Sequence, residues 1–154
     1  MIVERPALRH KELSGKIIAA AIEVHRRLGP GFLESVYESA LALELDMRGI
    51  RYERQKSITI RYRGHAVGEH RLDLLVERIL VVELKAVKSL EDIFFATTRS
   101  YMKAIGVEDG LLLNFASMPL TVKRVGREQS AYQTQENPGE SGNQELRETG
   151  DARP

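Results

Sequence analysis

The sequence predicts an α/β protein, and three observations carry that prediction. Two stretches near the start place apolar residues at helical spacing. A middle stretch alternates, or runs apolar without break, as strands do. A capped helical segment and two more strand-like runs then follow, so helices and strands interleave along one chain.

Residues 1–9 read as a loose lead-in. From about His10 to Leu28 the apolar positions Leu13, Ile17, Ala20, Ala21, Val24 and Leu28 form one stripe of a helix. Gly29 fits the residue just past a helix end, and Pro30 stops the helix. His25 lies one position from the stripe, where a histidine is ordinarily packed or solvated. Gly31 opens a second helix that runs to about Arg48 and closes at Gly49. Val36, Tyr37, Ala40, Leu41 and Leu43 or Glu44 mark its faces. Glu34 sits in the first turn, where a carboxylate suits the helix dipole. Tyr37 follows three residues later on the same side, and core packing accounts for it at this stage.

Ile58, Ile60 and Tyr62 alternate with Ser57, Thr59 and Arg61, the mark of a half-buried strand. Arg63-Gly64-His65 makes the turn. Val67 to Val76 is the second strand, Glu77-Arg78 a tight turn, and Ile79 to Ala86 the third strand. Ser89-Leu-Glu-Asp92 reads as a capping box opening a helix through about Ile105. Ile93, Phe94, Ala96, Thr97, Tyr101 and Ala104 are available to face the sheet, and Gly106 ends the helix. Gly110 to Phe115 reads as a buried strand and Leu120 to Val125 as an edge strand.

The chemistry concentrates between Arg71 and Lys85. In the third strand, Leu80, Val82 and Leu84 share one face; Val81, Glu83 and Lys85 share the other. A hairpin brings Asp73 across to the neighbourhood of Glu83. Two carboxylates and one ammonium then converge at the ends of apolar strands. Burying such a trio is costly unless the charges serve each other or a metal. Two hard carboxylates beside an open position suit Mg²⁺, which keeps several of its waters. Such an ion polarises a phosphoryl oxygen and acidifies a bound water, while a lysine orients that water or steadies the transition-state charge. The same residues also fit a solvated face with cross-strand ion pairs.

The totals bound the rest. The chain has 154 residues, enough for one domain with a real core. With 42% hydrophobic and 29% charged residues it is neither disordered nor a membrane span. It lacks cysteine, which excludes disulfides and thiolate metal sites. No signal-peptide plan opens it, so a cytoplasmic protein without membrane association is the expectation. Residues 127–154 hold three Arg and six acids among Gln, Asn, Ser, Gly and Pro. They read as a disordered polar tail. The net charge of +1 therefore becomes +4 over residues 1–126, which permits a nucleic-acid partner without demanding one.

The chain also resembles a known family. The segment from Val24 to Tyr37, with Gly31, Glu34 and Tyr37, is similar to the signature of the small bacterial GxxExxY proteins. Arg71-Leu-Asp73, Glu83-Leu-Lys85-Ala and Tyr101-Met-Lys-Ala-Ile-Gly106 resemble the same family, within the PD-(D/E)XK nuclease superfamily. The resemblance covers roughly residues 10–126, taken as the domain. It implies a restriction-endonuclease-like core, a central mixed β-sheet flanked by helices, and metal-dependent nuclease activity on DNA or RNA. Asp73, Glu83 and Glu34 are then the metal ligands for Mg²⁺ or Mn²⁺, and Lys85 is the catalytic lysine. Gly31 lets the helix start approach the site. Tyr37, Thr97, Tyr101 and His25 are carried as substrate contacts. Thr97 departs from the pattern, since related exonucleases often carry Gln there. A nucleic-acid-binding module without hydrolysis is the alternative, because a fold does not fix a function. The small size and modest charge leave room for a homodimer or a larger assembly.

Overall fold

The computed structural model describes the chain from Pro6 to Arg127, with side chains from His10 onward. Eight elements follow in order: α1 (Pro6–Leu28), α2 (Glu34–Met47), β1 (Tyr52–Tyr62), β2 (His65–Val76), β3 (Leu80–Lys85), α3 (Asp92–Ile105), β4 (Asp109–Asn114) and β5 (Thr121–Gly126). The strands form one sheet in the order β1-β2-β3-β4-β5. β3 and β4 are parallel and connected through α3, while the other neighbours are antiparallel. This is the mixed sheet flanked by helices that the sequence predicts. No helix among the described residues is long and apolar enough to cross a membrane. All but the first residue of the expected tail lies outside the described residues.

The sheet is buried on both faces because its central strands are apolar on both faces. Leu80, Val82 and Leu84 of β3, with Leu111 and Leu113 of β4, pack against Ile17, Ala20 and Val24 of α1 and Leu41 and Leu45 of α2. The alternate residues Val81 and Leu112 pack on the other side with Met102 of α3. Burying each such side chain contributes about 1.5–3 kcal/mol relative to leaving it exposed. Gly110 is dictated by this packing. A Cβ there would stand 2.8 Å from Met102 Sδ, so a side chain would force the buried Met102 thioether to move.

Four expectations change. The lead-in is helical from Pro6, at the first helical position, where proline's missing N–H is no loss. The capping box does not form. α3 begins at Asp92 with Glu91 as its N-cap, and no side chain bonds the cap. The α3 face is turned by one residue. Thr98 and Met102 are buried, while Ile93, Ala96 and Ala104 are exposed. Thr98 tolerates burial because its hydroxyl donates to Phe94 O at 2.8 Å. On α2, Leu45 enters the core and Leu43 points to solvent.

Candidate active site at the β2–β3 fork

β2 and β3 pair at Val76–Leu80, Leu75–Val81 and Leu74–Val82, and then separate. Asp73 and Glu83 would be the next pair, and they sit in the crotch of the fork. Each carboxylate caps an amide that the missing ladder leaves free. Glu83 Oε1 accepts from Asp73 N at 3.2 Å, and Asp73 Oδ2 accepts from Leu84 N at 2.9 Å. β3 stays anchored on its far edge, where Glu83, Leu84 and Lys85 remain in register with Leu112, Leu113 and Asn114. The fork is therefore a fixed feature of a strand held from one side.

β1 bends with it. Gln55, opposite Asp73, has φ of 49°, a left-handed conformation that is unusual for a side-chain-bearing residue inside a strand. Alternation breaks at the same level of β2: Leu72 joins the α3 core and Leu74 the α1–α2 core. The break turns Gln55 toward the carboxylates. Its Nε2 donates to Glu38 Oε1 at 2.5 Å and lies 3.4 Å from Asp73 Oδ1. Arg54 donates to Glu38 Oε2 at 3.0 Å. Glu38 and Gln55 are absent from the sequence-based candidates. Glu38 was legible in principle, one turn beyond Glu34 on the same helix; the local reversal at Gln55 carries no sequence signal.

Burial sets the electrostatics. The Glu83 carboxyl is pushed up from 4.5 to about 8, first by burial and then by the neighbouring Asp73, with Lys85 countering weakly. Asp73 is also raised, by burial above all and by Glu38 and Glu34, while the Leu84 amide opposes the shift. The two carboxyl groups share a proton at neutral pH rather than ionise together. Tyr101 feels the same charges: burial, then Glu83 and Asp73, raise its hydroxyl pKa.

The other predicted residues divide by position. Glu34 lies at the N-terminus of α2 and accepts from Ala86 N at 3.3 Å. It lines an open pocket of about 520 Å³ with Phe32, Glu38, Gln55 and Asp73. Lys85 Nζ, the predicted catalytic ammonium, stands 4.7 Å from the Phe94 ring centre in a cation–π contact. Tyr101 stacks on His70 at 3.9 Å between ring centres, so His70 is a further aromatic at the site's α3 side. Thr97 is half-buried on α3.

Tyr37 and His25 do not meet the site as substrate contacts. Tyr37 is fully buried, stacked on Phe115 at 4.6 Å. Its hydroxyl donates to Gly29 O at 2.6 Å and accepts from Phe32 N at 3.1 Å. That locks the α1–α2 turn and fixes where Glu34 begins its helix. His25 is buried beside Phe115, its Nε2 without a partner. Gly31 serves backbone conformation, with φ of 115°, rather than close approach, since a Cβ there meets open space.

Among the described residues, no three carboxylate or imidazole groups stand together as a ready-made cation cage. The donor set still fits one hard divalent cation. Asp73 and Glu83 offer adjacent carboxylates whose joint ionisation a cation would favour, and the open pocket leaves room for the waters that Mg²⁺ retains.

A family model of the PD-(D/E)XK nuclease superfamily matches residues 11–125, a span that contains the whole fork. Among solved structures, the crystal structure of SSO0001 is similar at a TM-score of 0.50 and 14% identity. The likeness covers 62% of this chain and 50% of that one, so the chain matches half of that protein's length and shares its fold. No curated protein matches the chain.

Proposed function

The chain belongs to the PD-(D/E)XK nuclease superfamily, and on that premise we propose that the fork is a divalent-metal-dependent site for phosphodiester hydrolysis in DNA or RNA. Within the superfamily we place the chain among the GxxExxY proteins, on Gly31, Glu34 and Tyr37, with its domain at residues 10–126. One observation carries the proposal. Glu83 is buried and Asp73 half-buried beside it at a strand fork, against the electrostatic cost of their charges.

Asp73 and Glu83 would hold Mg²⁺ or Mn²⁺, with Glu34 on the pocket wall as the third ligand. Bound there, the ion supplies Lewis-acid polarisation and an acidified water. The chain's own residues do the rest. The Leu84 and Asp73 amides fix one oxygen of each carboxylate. Gln55 spaces Glu38 from Asp73. Lys85, released from Phe94 toward a phosphate, orients the attacking water and steadies the added negative charge. Tyr101 and Thr97 on α3 line the approach of the nucleic acid.

The contact between Lys85 and Phe94 favours a second reading, a binding module in which the lysine never reaches the carboxylates. Cleavage of single- and double-stranded DNA and RNA by wild type, Lys85→Ala and Glu83→Gln separates the two. Hydrolysis that needs Mg²⁺ or Mn²⁺ is expected. Lys85→Ala should keep metal binding and lose about 10²–10³-fold in rate; Glu83→Gln should lose both. Equal rates in wild type and Lys85→Ala would remove the lysine from the mechanism. Nucleic-acid binding without cleavage in any of the three would establish the binding module.

A further inference from the structure

α2 is apolar on two opposite faces. Its inner face, with Tyr37, Leu41, Ala42 and Leu45, is buried in the core. On the outer side Leu33, Val36, Leu43 and Met47 are 76%, 38%, 61% and 70% exposed, and Ala40, half-buried where one edge of it meets the core, lies between them. Their spacing of three, four, three and four residues keeps them on one stripe, opposite the buried face. A helix at a protein surface ordinarily carries charge there; one that is apolar all round is covered on both sides. Phe32, half-exposed, extends the stripe at its N-terminal end. At about 150–200 Å² for a whole side chain, these exposed fractions leave roughly 500 Å² of apolar surface, near the upper end for a monomer.

We propose that a second copy of this chain covers the stripe, through an antiparallel α2–α2 pair with its two-fold axis at Ala40. The stripe is close to symmetric about that residue. Leu33 and Met47 lie seven residues to either side, Val36 four before and Leu43 three after. A two-fold axis at Ala40, the smallest side chain of the stripe, allows the helices to approach closely. It sets Leu33 against Met47 of the second copy and Val36 against Leu43 of the second copy. The three–four spacing is that of helices packed as a coiled-coil pair, and one patch facing itself makes an isologous interface. Two such patches remove about 1,000 Å² of apolar surface, the size at which specific interfaces begin. The flanking Glu44 is paired with Arg48 at 3.0 Å on its own helix, so it brings no unpaired charge to the interface. The interface also reaches the fork. Phe32 and Leu33 wall the pocket that holds Glu34 and Asp73, so the end of the second copy's α2 completes that wall.

Sedimentation equilibrium on the full chain at micromolar concentration tests this, with circular dichroism reporting the fold. Wild type should be a dimer. Val36→Lys and Leu43→Glu each bury an unpaired charge at the interface and should weaken association at least about 100-fold, with an unchanged spectrum. Met47→Glu repeats the test at the last turn of the helix, where the fold is least at risk. The double variant Val36→Lys/Leu43→Glu should dimerise again, because opposite charges then meet across the axis. A wild type that stays monomeric, or Leu43→Glu and Met47→Glu dimers as tight as wild type, would overturn the proposal. A double variant as monomeric as its single parents would overturn the antiparallel register.

Discussion

The hydroxyl of the buried Tyr37 makes two hydrogen bonds across a part-buried turn, so its removal leaves Gly29 O and Phe32 N without that partner. Tyr37→Phe should lower the unfolding free energy by about 0.5–1.5 kcal/mol in urea titrations. A loss below about 0.5 kcal/mol would mean that water reaches the turn and that the lock is not structural. Core packing was legible for this tyrosine from helical spacing; its clasp across the α1–α2 turn was not, because it depends on where Gly29 and Phe32 stand in space. Glu34 and Glu38 show the same limit. Both lie on one side of α2, but only Glu38 is buried toward Asp73, held by Arg54 and Gln55. The sequence singles out the first glutamate by its motif and says nothing of the Arg54 and Gln55 contacts that hold the second inward.

The elements themselves were largely legible, since each strand of the sheet announces its period and each helix its stripe. α3 is where periodicity misleads. Ile93, Phe94, Phe95 and Ala96 are apolar in succession, so two stripes one residue apart fit equally well. Packing against Val81 and Leu112 selects the one through Thr98 and Met102. The fork between β2 and β3 was legible as a meeting of Asp73 and Glu83, not as a separation of strands. It has a thermodynamic consequence. Glu83 titrates near 4.5 in an unfolded chain and at about 8 in the folded one. Between those values the folded state binds more protons than the unfolded state. Metal-free stability should therefore fall as pH rises through that window, by up to about 1.4 kcal/mol per pH unit from this group. Asp73, also raised, acts in the same direction. Urea midpoints across pH should show the decline in wild type and a flatter profile in Glu83→Gln. Parallel profiles would mean that Glu83 is ionised throughout.

At the scale of the molecule, two cores enclose a sheet whose central strands are held from both faces, and the fork opens where β3 leaves β2 but keeps β4. The architecture followed from the order and period of the elements. The site followed only in part, because the reversal at Gln55 and the contacts of Glu38 with Arg54 and Gln55 are tertiary events. On the proposed function, the fork exchanges a proton for a divalent cation. The most direct measurement is calorimetric titration of Mg²⁺ and Mn²⁺ into wild type and Asp73→Asn, in buffers of different ionisation enthalpy. Because Glu83 holds its proton up to about pH 8, binding at neutral pH should release close to one proton, and affinity should strengthen as pH rises. At 100 times the dissociation constant, the ion should add roughly 2.7 kcal/mol to stability. Asp73→Asn should lose the heat, the proton and the stabilisation together. No heat and no change in melting temperature at millimolar Mg²⁺ or Mn²⁺, or an equal response in Asp73→Asn, would contradict the claim.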